Sequence, residues 1–256
     1  MYPYIHIILP SYTVMAFLGG FFSLIFLYFR LEKYKIDFTY FLRLSIVAMV
    51  SCLIGSKTLF IITKFPDLFS AFTVKNLILT IFQSGFVFYG GLLGTIFGLY
   101  FYTRKDNTLR TQVFRFVVPA FPLFHAFGRI GCLLAGCCYG KEIEPHIIIG
   151  GVEFARIPVP IFESVFEFIM FIFLIIFTRK KPEKNILPLY LICYAVFRFF
   201  NEFLRGDEIR GFFVGLSTSQ WISMVILIFY ILKFSIAHFG KLTCENLSTS
   251  NTRSKI

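Results

Sequence analysis

Seven times along this chain, close to twenty consecutive residues pass with almost no charge: approximately Tyr12–Phe29, Phe41–Thr63, Phe86–Tyr102, Phe116–Ala135, Val159–Phe177, Ile186–Leu204 and Val214–Phe234. A helix of about 20 apolar residues crosses the hydrocarbon core of a bilayer. Backbone amides in lipid must be satisfied within their own segment, so such runs fold as helices. The expected fold is all-α, a polytopic integral membrane protein with seven transmembrane helices in a single domain over residues 1–240 and small external segments. Only 15% of the residues are charged, where a soluble domain carries about 25%, and little chain remains for a soluble unit. The formal charge of +11 does not imply a nucleic-acid partner, because the basic residues stand in short clusters between apolar runs rather than along one face. The implied partner is the lipid bilayer.

Those clusters set an orientation. The connections that begin with the one containing Arg30 and alternate from there hold sixteen Lys and Arg; the other set holds six, namely Lys64, Lys75, Lys141, Arg156, Arg205 and Arg210. Basic residues accumulate on the cytoplasmic side, so the N-terminus is expected outside and the C-terminus in the cytoplasm. Met1–Ser11 lacks a basic start, and no cleavable signal peptide is expected. The polar tail 241–256 reads as a disordered cytoplasmic segment. The external stretch 66–84 is either an amphipathic arm in the interface or a plain surface loop, and 137–158 forms a second external loop.

Three basic residues, Lys57, Arg129 and Arg198, lie within or at the edge of apolar runs, where a charge costs at least ~2.5 kcal/mol at the bilayer centre. The sixth run reads LICYAVFRFFNEFLRGDE, placing Tyr194, Arg198 and Glu202 on one helix face at i, i+4, i+8, with Arg205 a turn further. This is either a structural ion pair or an anion site, since the guanidinium fork matches phosphate. The fourth run ends in PLFHAFGRIGCLLAGCCYGK. Gly128, Gly131, Gly136 and Gly140 let the backbone turn or approach a ligand closely beside Arg129, or serve helix packing. His125, one turn earlier, is a packing histidine or a base.

Cys132, Cys137 and Cys138 follow at a spacing unlike common zinc patterns, and no metal is expected; small lining residues or a disulfide on the outer side are the readings. In GFVFYGGLLG, Gly90 and Gly91 thin the helix beside Tyr89, for a close helix contact or for a ligand. Glu163 and Glu167 share a face at the start of the fifth run and must turn inward, toward Arg129, Arg198 or Lys57.

The segments FYGGLLG, GRIGCLLAGCCYG, RIPVPIFES and YAVFRFFNEFLRGDE, in that order, resemble those of prolipoprotein diacylglyceryl transferases, seven-span enzymes of the bacterial cytoplasmic (inner) membrane. The resemblance covers roughly residues 10 to 235. Of the family signature G-R-x-G-N-F-x-N-x-E-x-x-G, this chain keeps Gly128, Arg129, Gly131 and Gly140, with Cys132, Ala135 and Cys137 at the positions of the two Asn and the Glu. Tyr89 stands where the family's H-G-G-L-I-G motif has histidine, followed by Gly90 and Gly91. Glu163 matches the glutamate of the family's P-x-Q-L-Y-E-like segment, and the Tyr194, Arg198, Glu202, Arg205 stripe matches its essential region.

What the resemblance implies is transfer of the diacylglyceryl group of phosphatidylglycerol to the lipobox cysteine of a prolipoprotein, without a cofactor, as the first step of lipoprotein maturation. Arg198 and Arg129, supported by Arg205, are then expected to converge on the lipid headgroup and stabilise the departing phosphate. His125 and Tyr89 are the candidate proton handlers. Gly90, Gly91, Gly128, Gly131, Cys132, Gly140, Tyr194, Glu163 and Glu202 are expected to line the substrate. A relative using a different acceptor, and a transporter or structural membrane protein, are the alternatives.

Overall fold

The computed structural model describes residues 4–5, 9–63, 87–149, 152–206 and 212–253; the expected arm 66–84 lies outside them. Eight helices carry these residues: α1 (Ser11–Tyr28), α2 (Phe38–Thr63), α3 (Phe88–Tyr102), α4 (Asn107–Val117), α5 (Ala120–Ala135), α6 (Val159–Lys180), α7 (Leu187–Asn201) and α8 (Thr218–Arg253). Six stretches are long and apolar enough to cross a membrane, α4 and α5 counting as one. The remaining apolar helix, α3, has 15 described residues, about 22 Å at 1.5 Å per residue, short of the ~30 Å hydrocarbon core.

Local chemistry sets the breaks. The Asp106 carboxylate accepts from the amides of Thr108 and Leu109 at 2.8 and 3.0 Å, capping α4. Pro119, which has no N–H to give, separates α4 from α5, so the expected run Phe116–Ala135 is the second part of a longer, broken helical stretch. Pro160 and Pro188 sit in the first turns of α6 and α7, where a missing amide costs nothing.

The molecule is not purely helical. Among the described residues, three antiparallel hairpins join β1 (Tyr4–Ile5) to β2 (Leu9–Pro10), β3 (Glu142–Ile149) to β4 (Val152–Arg156), and β5 (Phe212–Phe213) to β6 (Leu216–Ser217). The β3–β4 hairpin lies within 137–158, the segment expected as the second external loop. The backbone of α8 also runs on to Arg253, through residues expected to be disordered; once an apolar span has nucleated a helix, each further residue adds a hydrogen bond without a new nucleation cost.

Burial is inverted relative to a soluble protein. Phe17 is 73% exposed, Phe97 65% and Ile169 59%, while Arg129, Glu163, Glu167, Arg198, Asn201 and Glu202 are all buried. Apolar faces outward and polar groups inward is the arrangement a lipid solvent selects. The main helix pairs are α2 with α3, α1 with α5, α5 with α6, and α7 with α8. Small residues make the first crossing: a Cβ on Gly55 would lie 2.7 Å from Gly94 Cα, one on Gly90 2.7 Å from Leu59 Cβ, and one on Gly91 2.9 Å from Cys52 Sγ.

Candidate active site

The starts of α3, α6 and α8 meet the ends of α5 and α7 at one end of the bundle. Arg129 comes from the second half of α5, Glu163 and Glu167 from the first turns of α6, and Arg198 and Asn201 from the last turn of α7. A short 3-10 turn, Glu202–Leu204, supplies Glu202. Ser164 Oγ donates to the Ala126 carbonyl at 3.2 Å and fixes α6 against α5.

Glu163 is the hub. Its Oε2 forms an ion pair with Arg129, 2.8 Å from Nε, and its Oε1 accepts from Arg198 Nη1 and from Asn201 Nδ2 at 3.0 Å. Arg198 Nη2 reaches Glu202 Oε2 at 2.8 Å and Ser219 Oγ at 3.3 Å. Two guanidiniums in lipid surroundings therefore share one carboxylate, which holds them side by side against their mutual repulsion. Of the partners offered to the α6 carboxylates by the sequence, Glu163 takes both arginines.

Glu167 takes a partner not foreseen, His125. Arg129 Nε donates to His125 Nε2 at 3.0 Å, and His125 Nδ1 stands 2.8 Å from Glu167 Oε1. Arginine has only donors, so Nε2 must be the accepting nitrogen and the ring proton sits on Nδ1, donated to the carboxylate. The imidazole is thereby neutral, with its lone pair spent on orienting Arg129. Phe88 stacks on the ring with centroids 3.4 Å apart, and Tyr194 meets it edge-on at 5.5 Å.

Tyr89 also sits at this end, edge-on to Tyr194 at 5.3 Å. Its hydroxyl lies 2.6 Å from Ser223 Oγ, which itself donates to the Ser219 carbonyl at 2.8 Å; the phenol is then the donor of the pair. Gly90 and Gly91 point away, into the α2 crossing. Gly131 lets α1 approach, since a Cβ there would be 3.0 Å from Met15 Cβ, whereas one on Gly128 would meet nothing within 4 Å. Lys57 lies on α2, half-buried.

The segment between α5 and α6 is tied to the turn after α7. Gly140 N donates to the Ile157 carbonyl at 2.8 Å, Lys141 N to Leu204 O at 3.0 Å and Gly206 N to Tyr139 O at 3.2 Å, and Gly140 pairs with Arg205 in an antiparallel bridge. A Cβ on Gly140 would be 2.7 Å from the carbonyl oxygens of Ile157 and Leu204, so only glycine fits. The buried Arg205 is thus held by its backbone. The sulfurs of Cys132, Cys137 and Cys138 lie within 4.8 Å of one another, which their spacing did not suggest. Gly136, left-handed at φ 71°, ends α5, and Cys137 N turns back to the Cys132 carbonyl at 3.1 Å, a 6→1 closure.

Sequence reasoning missed Asn201, Ser219 and Ser223. The signal was present: Asn201 lies three residues after Arg198, and the two serines stand at i, i+4 at the start of the last apolar run.

Comparison with known proteins places the chain. The family model for prolipoprotein diacylglyceryl transferase matches residues 4–236. A phosphatidylglycerol–prolipoprotein diacylglyceryl transferase of Clostridium tetani is 35% identical over 242 residues, covering 90% of this chain and 94% of the relative. Transferase 2 of Clostridium perfringens is 38% identical over 200 residues, 75% of this chain and 77% of the relative. One of Idiomarina loihiensis is 33% identical over 159 residues, 59% and 60% of the two chains. With the match spanning nearly every described helix and the arginine–glutamate cluster within it, the chain belongs to the prolipoprotein diacylglyceryl transferase family.

Proposed function

We propose that this protein is a transferase that moves the diacylglyceryl group of phosphatidylglycerol onto the lipobox cysteine of prolipoproteins, opening bacterial lipoprotein maturation. The observation that carries the reading is the cluster in which Arg129 and Arg198 share Glu163, buried at one end of an apolar bundle. Its place is the cytoplasmic membrane, with α3 as the seventh span, the N-terminus outside, and the cluster near the outer surface where exported acceptors arrive. The excess of basic residues in the alternate loops supports that orientation. A fluorescent protein fused to the C-terminus is expected to fluoresce, and alkaline phosphatase fused there to stay inactive.

The reaction must hold a phosphodiester and stabilise the phosphate that leaves. Arg198 is engaged by Glu163, Glu202 and Ser219. Arg129 is anchored through Nε, while its Nη1 has the Cys132 sulfur as partner at 4.0 Å, a weak acceptor. Arg129 is therefore the guanidinium that receives the headgroup oxygens, and Arg198 positions it through the shared carboxylate. Fixed cations in a water-poor site stabilise developing anionic charge without reorganising. His125 acts as a positioning residue for Arg129.

The test is lipid transfer from labelled phosphatidylglycerol to a lipobox peptide in membranes. Arg129→Lys is expected to lose transfer, because an ammonium cannot be held through Nε while offering a fork to phosphate. Retained transfer removes the phosphate assignment, and failure to complement a strain depleted of its own transferase removes the function.

A further inference from the structure

The reaction just proposed has an unsolved half. The acceptor thiol is mostly protonated near neutrality, His125 has no lone pair to spare, and Tyr89 directs its proton to Ser223. The structure gathers sulfur where that help is needed. Cys132, Cys137 and Cys138 place three Sγ atoms within 4.8 Å of one another; all three are free thiols. The chain distorts to do so: Gly136 is left-handed, and Cys138, which has a Cβ, is also left-handed at φ 60°. Non-glycine residues held there point to a constraint imposed by use.

We infer that Cys132, Cys137 and Cys138 form a three-thiolate site for a thiophilic d10 ion of the zinc class, whose open fourth position takes the acceptor cysteine as thiolate. A tetrahedral zinc with Zn–S bonds of about 2.3 Å needs sulfurs about 3.8 Å apart, within side-chain adjustment of the separations here. Three protein ligands with a vacant corner is the arrangement of reactive rather than structural zinc.

Charge favours it too. Binding converts Zn2+ and three thiols to a complex of net charge −1 with release of three protons, and Arg129 Nη1 stands 4.0 Å from Cys132 Sγ, with the buried Arg205 bridged through its backbone to Gly140, two residues from Cys138. A bare cation is repelled by these guanidiniums, whereas the anionic complex is stabilised by them. Access exists: Cys137 lines a cavity of about 420 Å³ with Tyr139, Arg156, Pro158 and Pro160.

The inference rests on the transferase reading and completes its balance. The acceptor thiol loses its proton to solvent on coordination. The thiolate sulfur attacks the diacylglyceryl methylene, forming the C–S bond as the C–O bond to phosphate breaks, and glycerol phosphate leaves with the electron pair beside Arg129.

The test uses the full-length reduced protein in detergent, titrated with Co2+ as a spectroscopic stand-in. One equivalent is expected to give thiolate-to-cobalt absorption, reversed by Zn2+. Cys137→Ser and Cys138→Ser are expected to weaken binding by at least the ~10–100-fold seen for lesser changes around metal ligands, with thermal unfolding of the metal-free variants checking their fold. Adding a lipobox peptide is expected to intensify the sulfur band, and a peptide with serine for cysteine to leave it unchanged. No thiolate band, a band indifferent to Cys137→Ser, or full transfer by protein stripped of metal with a chelator each overturns the site. The last outcome leaves the transferase reading intact. Metal binding without any transfer, loaded or stripped, overturns that reading and the acceptor role with it.

Discussion

Glu163→Gln is the sharpest perturbation of the cluster. The carboxylate is ion-paired with Arg129 through Oε2 and accepts from Arg198 Nη1 and Asn201 Nδ2 through Oε1, so two cations and an amide converge on two oxygens at 2% exposure. An amide retains one oxygen. Whichever way it is turned, its NH2 faces a guanidinium donor, and the negative charge common to both arginines is gone. Ordinary polar contacts between membrane helices average about 0.6 kcal/mol, but leaving a buried charge without its partner costs about 3–5 kcal/mol. With two cations affected, a loss near 3 kcal/mol is the expected minimum, roughly a hundredfold in the unfolding equilibrium.

The assay is reversible unfolding in mixed micelles followed by the single tryptophan, Trp221, which lies between the two serines of the site and donates to the Phe213 carbonyl at 2.9 Å. A double-mutant cycle pairing Glu163→Gln with Arg129→Met isolates the pair energy. A single-variant loss below about 0.6 kcal/mol, the ordinary helix–helix value, with no coupling in the cycle, would refute the shared-carboxylate account of the bundle.

Four further outcomes follow from the geometry. His125→Gln is expected to lower transfer by disorienting Arg129 while leaving the shape of the pH–rate profile as in the parent, whereas loss recovered at higher pH marks a base instead. Tyr89→Phe removes one hydrogen bond to Ser223, so stability is expected to fall by about 0.6 kcal/mol and transfer to change by no more than about threefold; Ser223→Ala is expected to match it. Gly90→Ala forces α3 from α2 and is expected to cost about 1–3 kcal/mol as overpacking. Gly128→Ala, with open space around it, is expected to keep or raise stability by up to ~1 kcal/mol, so a transfer defect in that stable variant locates the donor lipid against the helix.

How much of this was legible in the chain depends on the range of the interaction. Apolar length is a property of contiguous segments, and several helices follow from it within a few residues: Val159–Phe177 became Val159–Lys180, and Phe41–Thr63 became Phe38–Thr63, whereas the last ran on from Phe234 to Arg253. Helix periodicity likewise put Arg198 and Glu202 on one face, and the cost of charge in lipid turned Glu163 and Glu167 inward. Partner choice was not legible, because periodicity says which way a side chain points and nothing of which helix it meets.

The sequence by itself determined that this chain lives in a membrane, that its buried charges needed one another, and, through ordered motifs, which family it belongs to. Only the tertiary structure decided that Glu163 serves two arginines, that His125 surrenders its lone pair to Arg129 and its proton to Glu167, that Gly90 and Gly91 make the close crossing with α2, and that three cysteines meet across the turn at Gly136. Solvent preference acts on each segment separately and is written along the chain; the pairing of polar groups is settled where helices cross, at distances of about 3 Å that depend on every neighbouring side chain at once.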